Sequence, residues 1–283
     1  MGRPPPLLRR PDRIFDGYVF DLDGTLYLGD QPLPGAARLL DALRELGRTI
    51  LFVSNNPTRT PVEYVEKLGR LGVQASEGEV INTVLTTVEW VRREHPDARV
   101  FAIAEEPLLD ALRAAGVRLC EDPGEIDVVI ASFDRALNYR KLQIAFDALW
   151  RRRDTRLLAT NIDRYCPTPE GGQPDTGALV AALETCTGRR CEEHFGKPGR
   201  VMGEAITRRL QLPSADCVVV GDRLYTDLAA AKRGGMAGAV VITGETEPAD
   251  LASLDESEQP EFVLARVDQL LPDTEWERRG WLE

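Results

Sequence analysis

The residues best able to do chemistry stand at the end of one apolar run. In Tyr18-Val19-Phe20-Asp21-Leu22-Asp23-Gly24-Thr25-Leu26-Tyr27, β-branched and aromatic residues read as a buried strand. It stops on two aspartates and a glycine that lets the backbone turn sharply. Carboxylates this close repel, so a cation or a shared proton is the expected resolution. The working expectation is a magnesium ion beside Asp21 and Asp23, with nucleophilic and acid–base chemistry directed at a phosphate. That chemistry also needs a positive clamp, a further carboxylate and a cover over the substrate.

Two later apolar runs end the same way, on Ser54-Asn55 and on Asp222. In open parallel sheets ligands sit beyond the carboxyl ends of the strands, so these distant residues are expected to converge. Lys197, in Gly196-Lys197-Pro198, precedes an expected helix, where its charge and the helix N-terminus both favour anions. The set then holds carboxylates for a hard cation, and a hydroxyl, an amide and an ammonium for phosphate oxygens, as phosphoryl transfer requires. Taken singly, each piece has a plainer explanation. Asp-x-Asp-Gly is a common turn, Ser54-Asn55-Asn56 an ordinary loop or cap, Asp222 a capping aspartate, and Gly-Lys-Pro carries little meaning. Order and placement together are what make a site.

The elements that must position these residues follow an α/β rhythm. Helices are expected over 36–46 and from Pro61 to Gly72, around a strand over 49–53. This is the pattern of a parallel sheet covered by helices. A second α/β series follows: helices over 83–94, 107–115, 139–151 and 177–187, and strands over 99–104, 127–131 and 156–160. The first style resumes with a helix over 200–210, a strand over 217–220, a helix over 226–233 and a strand over 239–243. The acidic, proline-containing stretch 245–261 reads as a loop, and 262–271 as one last strand or helix. Asp21 and Ser54 are too close in sequence to admit an inserted domain, whereas far more chain than one strand–helix step separates Ser54 from Lys197. The expected organisation is a Rossmann-like parallel core with helices on both faces, discontinuous over 14–81 and 191–271, with an α/β cap at 82–190. Residues 1–13 and 272–283 are read as tails, the first frayed, the second carrying Trp276 and Trp281.

Composition bounds the partners. A formal net charge of −11 argues against nucleic acid, whose phosphates reward clustered Lys and Arg. Five cysteines without a CxxC spacing suggest reduced thiols, and two histidines give little support to a histidine-based metal site. No run is long enough to span a bilayer, and the N-terminal stretch lacks the apolar segment of a signal peptide, so a cytoplasmic location without membrane association is expected.

The motifs Asp21-Leu22-Asp23-Gly24-Thr25, Phe52-Val53-Ser54-Asn55-Asn56, Gly196-Lys197-Pro198 and Gly221-Asp222-Arg223-Leu224-Tyr225-Thr226-Asp227 resemble those of the haloacid dehalogenase-like superfamily. More narrowly they resemble its NagD-like, or p-nitrophenylphosphatase-like, phosphatases, over nearly all of 16–269. The resemblance implies that Asp21 is a nucleophile forming an aspartyl-phosphate, and Asp23 the acid that protonates the leaving alcohol and then the base that activates water. It implies that Ser54 and Lys197 bind the phosphoryl group with Asn55 in support. Asp222 would complete a Mg²⁺ site with the Asp21 carboxylate and the Asp23 carbonyl, with Asp227 behind them. The implied cap would carry substrate contacts at Asn161 and Asp163, in a loop that an Asx turn explains equally well, and a homodimer would form through it. Pro174-Asp175-Thr176-Gly177 departs from the family pattern, which usually has glycine where Asp175 stands. The implied substrates are small phosphorylated metabolites: sugar phosphates, glycerol phosphate or nucleoside monophosphates, with p-nitrophenyl phosphate as a surrogate. Alternatives are a phosphoryl-transferring mutase, separable by the release of inorganic phosphate, and a non-enzymatic module that accepts phosphate on Asp21 as a signal.

Overall fold

The computed structural model describes residues 8–168 and 171–281. The chain forms two compact units, one of Met1–Val53, Val65–Val80 and Gly203–Glu283, the other of Ser54–Tyr64 and Ile81–Met202.

The first unit is built on a six-stranded sheet in the order Phe262–Leu264, Ala237–Val241, Cys217–Gly221, Gly17–Phe20, Thr49–Ser54, Val80–Asn82. The four pairings from Phe262–Leu264 through Thr49–Ser54 are parallel. Gly17–Phe20 lies centrally: Phe20 pairs with Val220 on one side and Phe52 on the other. Every residue of Gly17–Phe20 and Cys217–Gly221 is buried, as strands enclosed on both faces require. The helix Ala36–Glu45 follows Gly35 and buries Ala36, Leu39, Leu40 and Leu43, the stripe expected of a helix with one face on a core.

Several sequence-based expectations change here. Val80–Asn82, which had no clear assignment, is an edge strand, and 245–261 contains the helix Pro248–Ser253. Leu251 of that helix packs with Leu228, Val240 and Val263, and the partly buried Leu254 joins them, so two leucines dock an otherwise acidic segment. The residues 8–13 are not frayed. Arg9 exchanges backbone hydrogen bonds with Val263 (2.9 and 3.0 Å), and Arg10 pairs with Asp273 at 2.6 Å. The rest of the expected N-terminal tail, residues 1–7, lies outside the described residues. The C-terminal segment forms the helix Asp273–Arg279, which buries Trp276.

The second unit holds a five-stranded parallel sheet in the order Glu193–His194, Arg156–Ala159, Val128–Ala131, Arg99–Ile103, Arg118–Leu119. Successive side chains of a strand face opposite ways, and the packing shows it. Val100, Ala102, Val128 and Ile130 pack with Val84, Trp90, Leu108 and Leu112. Phe101, Ile103, Val129 and Ala131 pack instead with Ala145, Leu149, Leu179 and Leu183. Helices therefore cover both faces. An antiparallel hairpin, Tyr165–Thr168 with Gly171–Pro174, was not anticipated, because glycine and proline dominate its strands. All five cysteines are free thiols. Among the described residues no helix is long and apolar enough to cross a membrane.

Candidate active site

The first unit carries the carboxylates. Asp21 continues the central strand by one step, its N–H donating to the Val220 carbonyl at 2.8 Å. Asp222 begins the loop after the neighbouring strand Cys217–Gly221. The chain then winds through a π-helical turn, Leu224–Leu228, which contains Asp227. Donor oxygens of Asp21, Asp222 and Asp227 lie within 4.8 Å of one another. Asp222 and Asp227 are buried and Asp21 is half-buried.

The backbone is shaped to leave room for this cluster. Gly24 has φ +86°, and a Cβ there would stand 2.5 Å from Asp222 Oδ2. A Cβ at Gly244 would stand 2.0 Å from the same oxygen. The Glu245 N–H donates to Asp222 Oδ2 at 2.7 Å, and Thr246 donates through its N–H to the Asp222 carbonyl at 3.0 Å. Three crowded carboxylates cannot all ionise without a counter-charge, and an all-oxygen donor set suits a hard divalent cation. The residues fit such an ion. Asp227, expected behind the ligands, brings its carboxylate into the cluster itself, whereas the Asp23 side chain is not part of it.

Asp23 reaches the surface, yet protein crowds its other sides. Desolvation there raises its carboxyl above the ordinary aspartate range, opposed first by the charge of Lys67 and then by a hydrogen bond from the Gly29 backbone. Access to water limits that rise. Lys67 is the residue that sequence reasoning passed over. It lies on the helix Pro61–Arg70 and is only 6 % exposed, with its Nζ 3.9 Å from the centre of the Tyr27 ring and 3.9 Å from Asp30 Oδ1. The signal was available: Tyr64, Lys67, Leu68 and Leu71 follow helical spacing, so a lysine occupies a core position.

The second unit carries the remaining predicted residues. Ser54 is the last residue of the strand Thr49–Ser54; its Oγ lies 3.0 Å from the Tyr64 hydroxyl and accepts from the Asn56 N–H at 3.2 Å. Asn55 clasps Lys197 by the backbone: Asn55 Oδ1 accepts from the Lys197 N–H at 2.6 Å, and Asn55 Nδ2 donates to the Lys197 carbonyl at 3.0 Å. The same Nδ2 donates to Asp163 Oδ2 at 2.8 Å, and Asn161 Nδ2 donates to that oxygen at 2.8 Å. Asn161 also donates to Asp175 Oδ1 at 3.2 Å. Asn161 and Asp163 are thus buried members of a polar network, at 0 % and 2 % exposure. Asp175 accepts from the Thr176 N–H and caps the helix Thr176–Thr187. A glycine could not supply that cap bond, which gives the departure from the family pattern a local structural role. Lys197 is 2 % exposed and precedes the helix Arg200–Leu210.

Comparison with known proteins shows the family of the chain. The family described as haloacid dehalogenase-like hydrolase matches residues 18–118, and a second, HAD-hydrolase-like description matches 194–270. Among curated relatives, the chain is 36% identical to chronophin of Mus musculus, covering 90% of this chain and 88% of that protein. It is 30% identical to the sugar-phosphatase AraL of Bacillus subtilis, covering 89% of this chain and 90% of that protein. Its structure is similar to that of a p-nitrophenyl phosphatase from Archaeoglobus fulgidus, with TM-score 0.84, 33% identity, and coverage of 91% and 98% of the two chains. Members of this family generally use a divalent metal. The chain belongs to the haloacid dehalogenase-like hydrolases, in their NagD- and p-nitrophenylphosphatase-like branch, and is a phosphoric monoester hydrolase acting on small phosphorylated substrates.

Proposed function

We propose that this chain hydrolyses small phosphate monoesters with Mg²⁺, through a phosphorylated Asp21. The observation that carries the reading is the gathering of Asp21, Asp222 and Asp227 within 4.8 Å, at the carboxyl ends of two adjacent parallel strands. These carboxylates would hold the ion, whose contribution is to offset the repulsion between a carboxylate nucleophile and a phosphate dianion. Asp21 attacks phosphorus, and the ester P–O bond breaks. Asp23 gives its proton to the departing oxygen. Water then attacks the acyl phosphate while Asp23 takes up a proton, which releases inorganic phosphate and restores Asp21.

Ser54 and Lys197 take the role of phosphate ligands. The likeness of Phe52-Val53-Ser54-Asn55-Asn56 and Gly196-Lys197-Pro198 to the motifs of the family supports that role. Asn55 acts through Lys197, because both ends of its amide are committed to that residue's backbone. Sugar phosphates, glycerol phosphate and nucleoside monophosphates are the substrate classes in view, with p-nitrophenyl phosphate as the assay compound; the sugar-phosphate class draws support from the relative named for that activity.

The deciding experiment is Asp21→Asn assayed with p-nitrophenyl phosphate and Mg²⁺. The expected loss in kcat is on the order of a thousand-fold or more, as for removal of a nucleophile, with folding retained by circular dichroism. Near-normal turnover by the folded variant would overturn the assignment.

A further inference from the structure

The loop that carries Asp23 is held from beneath by a lysine outside the recognised motifs. Asp23 forms a β-bridge with Tyr27, and the Gly24 N–H donates to the Tyr27 carbonyl at 2.7 Å, so the Tyr27 backbone fixes the turn on which Asp23 stands. The hairpin continues through Tyr27–Leu28 and Gln31–Pro32. Tyr27 is 2 % exposed, and the Lys67 ammonium sits over its ring at 3.9 Å with Asp30 Oδ1 at the same distance. A buried ammonium is costly to desolvate, and its retention at a core position of the helix Pro61–Arg70 needs compensation of this kind. An alkyl side chain there would fill space but would bind neither the ring face nor the carboxylate.

We infer that Lys67 is a positioning residue for Asp23, locking the hairpin through the Tyr27 ring so that the Asp23 carboxyl stays aimed at the leaving-group oxygen. The inference rests on the reading of Asp23 as the acid. Its loss should fall on substrates whose leaving group needs a proton and spare those whose leaving group departs as a stable anion. A lysine that served only to stabilise the fold would lower both alike.

The test compares kcat/KM for phenyl phosphate and p-nitrophenyl phosphate, with Mg²⁺, in the wild type, Lys67→Met, Lys67→Arg and Asp23→Asn. In Lys67→Met the ratio of phenyl to p-nitrophenyl phosphate should fall by about ten-fold, a fraction of what general acid catalysis supplies. Lys67→Arg, which keeps a cation for the ring, should recover most of it, and Asp23→Asn should show a larger fall than Lys67→Met. If Lys67→Met does not fold, Lys67→Gln carries the same expectation at about three-fold. An unchanged ratio in the folded Lys67 variants, with a changed one in Asp23→Asn, overturns the inference and leaves the acid assignment standing. An unchanged ratio in Asp23→Asn overturns that assignment, and this inference with it.

Discussion

Asp163 accepts hydrogen bonds from two buried amides, Asn55 and Asn161, and through Asn55 it bears on the Lys197 backbone. Its carboxylate orients the Asn55 amide, whose oxygen must then face the Lys197 N–H. The sequence-based expectation of a substrate contact at Asp163 implies that its loss changes substrate preference. On the proposed reading of Lys197 as a phosphate ligand, the network implies instead that Asp163→Ala weakens every substrate alike, because the phosphate is common to them all. We expect kcat/KM to fall roughly ten- to a hundred-fold for p-nitrophenyl phosphate and for sugar phosphates, the size expected when a catalytic group is misplaced. A change in the ranking of substrates would restore the contact role.

At the scale of elements, the helix Thr176–Thr187 depends on its cap. Asp175 accepts from the Thr176 N–H and hydroxyl, and burial raises its carboxyl above the usual range, with the nearby Asp163 adding to the rise. Asp175→Ala should cost about 1 kcal/mol in urea unfolding, the usual worth of such a cap. The charge and the cap act in opposite directions. A folded-state pKa above the unfolded value means that this group's protonation favours folding, an advantage present below the unfolded pKa and lost as pH rises through the folded one. Asp175→Asn keeps an oxygen for the cap and should remove that part of the pH dependence, which unfolding curves between the two regimes would show. The same scale explains what resisted reading from sequence. Val80–Asn82 has three residues, too few to reveal alternation, and in the six-residue helix Pro248–Ser253 Leu251 is the buried residue, too little for an apolar stripe. Long periodic helices such as Tyr139–Arg151 were legible because their apolar stripe repeats over several turns.

Across the whole molecule, the two ends of the described chain belong to the first unit. Trp276 is 4 % exposed, donates to the Asp268 carbonyl at 3.0 Å, and lies against the guanidinium groups of Arg10 and Arg38 at 4.5 and 4.9 Å. Arg38 also pairs with the buried Asp268 at 2.5 Å. One aromatic ring thus joins the N-terminal segment, the helix Ala36–Glu45 and the C-terminal helix. Trp276→Ala should lower stability by about 3 kcal/mol, at the low end for a buried tryptophan, with the ratio of kcat/KM between substrates unchanged. A thermal or urea unfolding midpoint equal to wild type would show that this end of the chain is dispensable.

The chemistry proposed for this protein could be read from its sequence because it depends on residue type at strand ends, and apolar strands betray their own termini. Asp21, Asp222, Ser54 and Lys197 could be chosen from local pattern, and the resemblance of their motifs then identified the family. Only the tertiary structure decided what surrounds them. It brought the Asp227 carboxylate into the cluster, made Asp163 a buried acceptor for both Asn55 and Asn161, and set Lys67 under the turn that carries Asp23. A polar side chain looks the same in sequence whether water or another side chain satisfies it. Which of the two it meets depends on contacts between residues far apart in the chain.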